Sequence, residues 1–136
     1  MKRGYSTANM RCGFTLLELT VVILVLISLI SIGLFTTSKL DEWKLGRSAS
    51  ETLRTVYSAQ RMYLADNPTA AVSGLTEAKI LPYMPQGTTT MPKVKSMAGT
   101  QLGILVNVSP PKVNAGSGVV YDPSGDSKDS LWDVGQ

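Results

Sequence analysis

The chain is 136 residues long, enough for one small domain and no more. It holds no histidine and one cysteine, Cys12, which excludes His-based acid–base catalysis, Ser-His-Asp and Cys-His nucleophiles, the usual zinc ligand sets and an intramolecular disulfide. The net charge of +3 belongs to the tip, where Lys2, Arg3 and Arg11 stand; from Phe14 onward ten basic residues face ten acidic ones, a balance that speaks against nucleic-acid binding.

The first predicted element is apolar. Phe14 to Phe35 reads "FTLLELTVVILVLISLISIGLF", with Glu18 as its only charge. As a helix it would be about 33 Å long, enough to cross a hydrocarbon core about 30 Å thick. The basic tip before it places the N-terminus in the cytoplasm and the residues after the apolar segment on the exported side. Three plainer explanations compete. A cleaved secretory signal would show small residues in an A-x-A-like pattern after its apolar core, and "FTTSK" matches that poorly. A lipoprotein would carry its modified cysteine after the core, whereas Cys12 precedes it. A plain signal anchor fits the length and leaves Glu18 unexplained. Locally, "TLLE" from Thr15 to Glu18 is a capping box, with the glutamate returning to the N-cap amide, and a carboxylate in the first turn suits the helix dipole.

"CGFTLLELTVVILVLISLISIG" resembles the N-terminal signature shared by type IV pilins and the pseudopilins of type II secretion. The resemblance is close over the leader and long helix and loose elsewhere. It implies a leader of residues 1–13, removed by a prepilin peptidase that cuts after Gly13 and N-methylates Phe14. It further implies that Glu18 meets the new amine of a neighbouring subunit during assembly, so that the apolar helix serves first as membrane anchor and then as fibre core. The implied partners are the peptidase, other copies or related subunits in a helical fibre, and an inner-membrane assembly platform. The implied location is the bacterial inner membrane with a periplasmic head. Glycine at the cut fits the chemistry, since no Cβ obstructs the protease's approach to the backbone.

The helix is expected to continue past the membrane. No proline occurs between Phe14 and Asn67, and Leu45, Ala49, Leu53, Val56 and Tyr63 recur every few residues, an apolar stripe able to carry a head. Residues 14–36 form the membrane and assembly segment and 37–67 its amphipathic continuation. Glu51 and Arg54 are spaced to pair across one turn, Gly33 and Gly46 are weak points, and Asn67-Pro68 is a stop.

Residues 68–136 form the head. A short helix is predicted around Leu75 to Leu81, ended by Pro82, then strands near Lys93 to Met97, over Gln101 to Val108 and in "GVVYDP". These give a small antiparallel sheet of about three strands on the helix, hence an α+β fold, which by resemblance is pilin-like. The stretch "YDPSGDSKDSLWDV" gathers Asp122, Asp126, Asp129 and Asp133 with Ser124 and Ser127. Hard oxygens around a turn suit calcium, although the spacing is not that of an EF-hand. The plainer explanation is a solvated acidic turn, with Asp-Pro and Ser-Gly placed for backbone reasons. The resemblance favours calcium, since major pseudopilins carry such a site in a C-terminal loop near a tryptophan, here Trp132; the loop in this chain is shorter and aligns poorly.

The functional expectation is therefore a non-enzymatic fibre subunit. The leading form is a type II secretion pseudopilin, the alternative a type IV pilin, major or minor, of a surface or DNA-uptake fibre. The outside option is a signal-anchored periplasmic binding module that never polymerises. Retention of Glu18 favours the shaft or a position just below the tip.

Overall fold

A computed structural model describes residues 14–135. Helix α1 runs over Leu16–Asp66, followed by a 3-10 turn at Val72–Gly74, α2 at Glu77–Ile80 and a second 3-10 turn at Leu81–Tyr83. Four strands complete the chain: β1 Val94–Lys95, β2 Gln101–Leu105, β3 Lys112–Gly116 and β4 Val119–Val120. They form one antiparallel sheet in the order β1-β2-β3-β4. The α+β class expected from the sequence is the class observed. The chain divides after Ser38 into two compact units, each described by itself.

In the first unit α1 has no interior to pack against. Its apolar residues from Phe14 to Leu34 are exposed all round, and this stretch is long and apolar enough to cross a membrane. Its few hydroxyls need no water. Those of Thr20, Ser28 and Ser31 donate to the carbonyls of Leu17, Leu24 and Ile27, at 2.8, 2.9 and 2.9 Å, so they bond their own helix.

In the second unit α1 becomes one-sided. Ala49, Leu53, Val56 and Ala59 are buried, and Leu45 and Tyr63 pack at the margins. The predicted stripe is the core-facing surface. Against it lie Val94, Ile104, Val106 and Val113 from the sheet region, Leu75, Ile80 and Met84 from the connection, and Trp132 from the C-terminal segment. The register that sets this face pairs Val94 with Leu102 and Ile104 with Val113, because residues on one sheet face alternate along each strand. The helix ends where Asn67-Pro68 forecasts. The Tyr63 carbonyl accepts both from the Asn67 backbone amide at 3.0 Å and from its side-chain amide at 2.9 Å, so Asn67 closes the last turn with its own side chain.

Several details differ from the sequence reading, each for a local reason. The sheet has four strands rather than about three, the additional one being β3. The strand predicted over Gln101 to Val108 ends at Leu105, because the carbonyls of Val106 and Val108 are claimed by Gln60, whose Nε2 donates to them at 3.0 and 2.8 Å. The helix around Leu75 to Leu81 is split into α2 and a 3-10 turn that contains Pro82. Arg54 forms no ion pair with Glu51. It reaches instead to the C-terminal segment, where Nε donates to the Val134 carbonyl at 2.8 Å and Nη2 to Ser130 Oγ at 2.9 Å.

Gly46 is also a point of close approach. A Cβ at this position would stand 3.0 Å from Trp132 Nε1 and 3.1 Å from Leu131 Cδ2. The Trp132 amide also donates to the Gly46 carbonyl, at 3.2 Å. Trp132 holds this place with a φ of 65°, a left-handed conformation costly for a bulky residue. Burial of its indole, which is 4% exposed, and an edge-on contact with Tyr121 at 5.1 Å between centroids offset that cost.

Substitution at Gly46 separates packing from helix propensity. Gly46→Ala gains about 1 kcal/mol of helix propensity against the tight contact, and is expected to leave stability nearly unchanged. Gly46→Val is expected to lose about 1–3 kcal/mol by overpacking, and Leu53→Ala about 2–5 kcal/mol by opening a cavity. Thermal unfolding of the detergent-solubilised chain, followed by circular dichroism, checks the ranking.

Candidate functional site

The first candidate region is the start of α1. Thr15 stands just before the helix, and its carbonyl accepts the first intrahelical bond, from the Leu19 amide at 3.2 Å. Thr15 Oγ1 accepts from the Glu18 amide at 3.2 Å, and Glu18 Oε2 accepts from the Thr15 amide and hydroxyl, each at 3.4 Å. This is the reciprocal capping box that the "TLLE" spacing predicts. It fixes the carboxylate in the first turn, where the helix dipole favours negative charge. The surroundings are apolar and open: Phe14 and Leu16 are each 82% exposed and Leu17 is 73% exposed. Glu18 is thus an oriented charge within a strip of unburied hydrocarbon. Gly13 and the rest of the predicted leader lie outside the described residues.

The second candidate region is the acidic run after β4. Each of its four aspartates turns one carboxylate oxygen onto the backbone two residues ahead. Asp122 Oδ1 accepts from the Ser124 amide at 3.2 Å and its hydroxyl at 2.7 Å. Asp126 accepts from the Lys128 amide at 3.0 Å, Asp129 from the Leu131 amide at 2.8 Å, and Asp133 from the Gly135 amide. The segment is a succession of Asx turns. It feeds Ser130 and Trp132 into their positive-φ conformations and so delivers the indole to Gly46. Among the described residues no group of three or more acidic, cysteine or histidine side chains is placed to hold a metal ion. The calcium alternative at Asp122, Asp126, Asp129 and Asp133 finds no such group there, and the backbone of each turn uses one carboxylate oxygen.

No protein-family model, curated protein or solved structure matches the chain. Function is therefore inferred from these residues themselves.

Sequence reasoning misses one exposed group. Trp43 lies in the charged stretch "KLDEWKLGR", off the Leu45–Ala49–Leu53 stripe, and is 55% exposed, with the Arg47 guanidinium 5.9 Å from its ring centroid. An aromatic residue out of register with the apolar stripe of its own helix is the signal that could have found it.

Asp133 also carries an electrostatic signature. Partial burial pushes its carboxyl above the ordinary value of 3.8; the Gly135 amide opposes the rise, and the negative charges of Asp129 and Asp122 add to it. Its Oδ2 is buried without a hydrogen-bond partner, which further disfavours the ionised form. A carboxyl raised in the folded state contributes stability that is fully present below the unfolded value and lost as pH rises through the folded one. Wild type is thus expected to lose stability relative to Asp133→Asn as pH climbs from 3.8 towards neutral. The amide oxygen of asparagine can still accept from Gly135, so paired denaturant titrations across that range isolate the charge.

Proposed function

We propose that the protein is a membrane-inserted, non-catalytic fibre subunit of the pilin and pseudopilin kind, with a type II secretion pseudopilin as the leading form. The observation that carries this reading is the carboxylate of Glu18, held by the capping box at the head of a helix whose apolar residues are exposed on every side. A helix that is apolar all round has two stable environments, lipid or other helices, and a subunit that moves from one to the other uses both. The "GFTLLE" signature supplies the switch. Cleavage after Gly13 creates an amine at Phe14, a cation at the edge of the same hydrocarbon surface.

An amine and a carboxylate about 4 Å apart at intermediate dielectric attract by about 4 kcal/mol before desolvation is counted. Within one chain Glu18 Oε2 already accepts from the Thr15 amide and hydroxyl. The amine of another copy, brought alongside in a bundle, offers a full charge in place of a weak cap. Only one axial offset between subunits satisfies both charges, so the pair selects register. The second unit of the fold, with its sheet on the amphipathic half of α1, is the head that such a fibre would display.

Mass spectrometry of the N-terminus of the protein from its native membrane tests the processing step. A chain that begins at N-methyl-Phe14 is expected; an intact Met1, or cleavage near Ser38, sinks the reading. Loss of extracellular enzyme release on gene deletion identifies the secretion form, and loss of surface fibres identifies the type IV pilin alternative.

The two roles of Glu18 can be separated. Glu18→Gln keeps the capping box and removes the charge, whereas Glu18→Ala removes both. Both variants are expected to be cleaved and to assemble poorly with wild-type neighbours. A normal filament yield from Glu18→Gln would show that capping, not charge, is what the position supplies.

A further inference from the structure

We infer that the head carries two unlike patches that join copies of this chain head to tail. One is a cationic groove on α1 around Tyr57 and Arg61, with Arg54 at its lower edge. The other is the acidic run from Asp122 to Asp133, offered by a second copy. Both patches lie within the second unit. The inference adds a contact between heads to the fibre reading proposed above.

At about 3.6 residues per turn, Arg54, Tyr57 and Arg61 fall on a side of α1 turned away from the buried stripe of Ala49, Leu53, Val56 and Ala59. With Ser58, Met62 and Ala65 they line a shallow groove of about 390 Å³. The Arg61 guanidinium stands 5.8 Å from the Tyr57 ring centroid, a stacked arrangement that leaves its N–H groups for an acceptor. Arg54 is fixed by Val134 and Ser130. Two oriented guanidiniums lose less freedom on binding than two loose ones. Among the described residues neither forms an ion pair; those of α1 join Lys39 to Glu42 and Lys44 to Asp41. Asp66, just beyond Arg61, accepts instead from the Tyr83 hydroxyl at 3.0 Å. The groove thus holds unneutralised cations beside Met62, itself 47% exposed.

The chain carries the complement to this groove. Residues 122–133 hold four aspartates against one lysine, Lys128. Asp126 and Asp129 are exposed, each gives one oxygen to its own turn, and neither is in an ion pair among the described residues. Their own head holds them away from Arg61. The Trp132 amide is tied to the Gly46 carbonyl, and Pro123 and Ser124 line a cleft with Trp43. From Gly46 to Arg61 the helix rises about 22 Å. A second copy displaced by about that distance along α1 brings its aspartates to the groove, where carboxylate and guanidinium form charge-assisted hydrogen bonds. Two unlike patches offset along one axis make a heterologous contact, which leaves a patch of each copy free for the next and grows without closing.

Thiol cross-linking of the full chain in its native host tests the inference, in a Cys12→Ser background that leaves no other thiol. Ser58→Cys marks the groove and Ser127→Cys the acidic run; both serines are exposed. A short bismaleimide is expected to link chains carrying both substitutions into a ladder of dimers, trimers and longer products. Arg61→Glu is expected to reduce the ladder about tenfold, and Asp126→Lys with Asp129→Lys in the same chain to restore it. A ladder indifferent to Arg61→Glu overturns the inference, as do products that stop at the dimer. Loss of the ladder on nuclease treatment also overturns it and assigns the groove to a nucleic acid. A charge-dependent ladder from chains that retain Met1 upholds the contact between heads and sinks the fibre reading; N-methyl-Phe14 without a ladder does the reverse.

Discussion

The head is built on the face of α1 between Leu45 and Tyr63 because none of its other elements is long enough to bury a surface alone. Its strands are two to five residues long and α2 has four residues. A sheet of such short strands gains independent stability only against a platform. Leu53 and Val56, both fully buried, supply that platform, and Ile80, Ile104 and Val113 converge on it from three different segments. Gln60 adds the polar connection: its amide nitrogen serves two carbonyls where the sheet has run out of strand partners. A buried side chain that donates twice fixes position more sharply than apolar contact, whose attraction has no direction.

The two halves of α1 differ in where their apolar residues lie. Up to Leu34 the helix is apolar on every face and its hydroxyls bond inward to its own carbonyls, as any segment must where water is absent. From Lys39 charges return and only one face stays apolar. Glu18 is the exception in the first half, and its capping geometry explains how an isolated carboxylate is held there. Capping is a role within the chain, and the proposed role between subunits uses the same oxygens.

How much of this could be read from the sequence depends on whether the deciding interaction is local. The stripe from Leu45 to Tyr63, the stop at Asn67-Pro68 and the capping box are patterns within a few residues, and all three are present as read. Strand β3 was not legible, because "KVNAG" buries only Val113 fully and then enters an irregular pairing with β4, which erases the alternation that marks a strand. The early end of β2 depends on Gln60, far away in sequence. Arg54 had an acidic neighbour at helical spacing and took a distant partner instead. The acidic run was ambiguous in principle, since aspartate and serine around a turn serve a cation or the backbone equally well, and only the direction of each carboxylate separates the two. Trp132 offered no sign that it would adopt a positive φ.

The clasp between α1 and the C-terminal segment sets an order of events. Arg54 and Val134 are separated by 80 positions, so their contact closes a loop containing the entire sheet, and long loops form late. During folding, the helix surface around Gly46 stays bare until that last segment arrives. The foot of the head, around Gly46, is therefore the last part to become rigid.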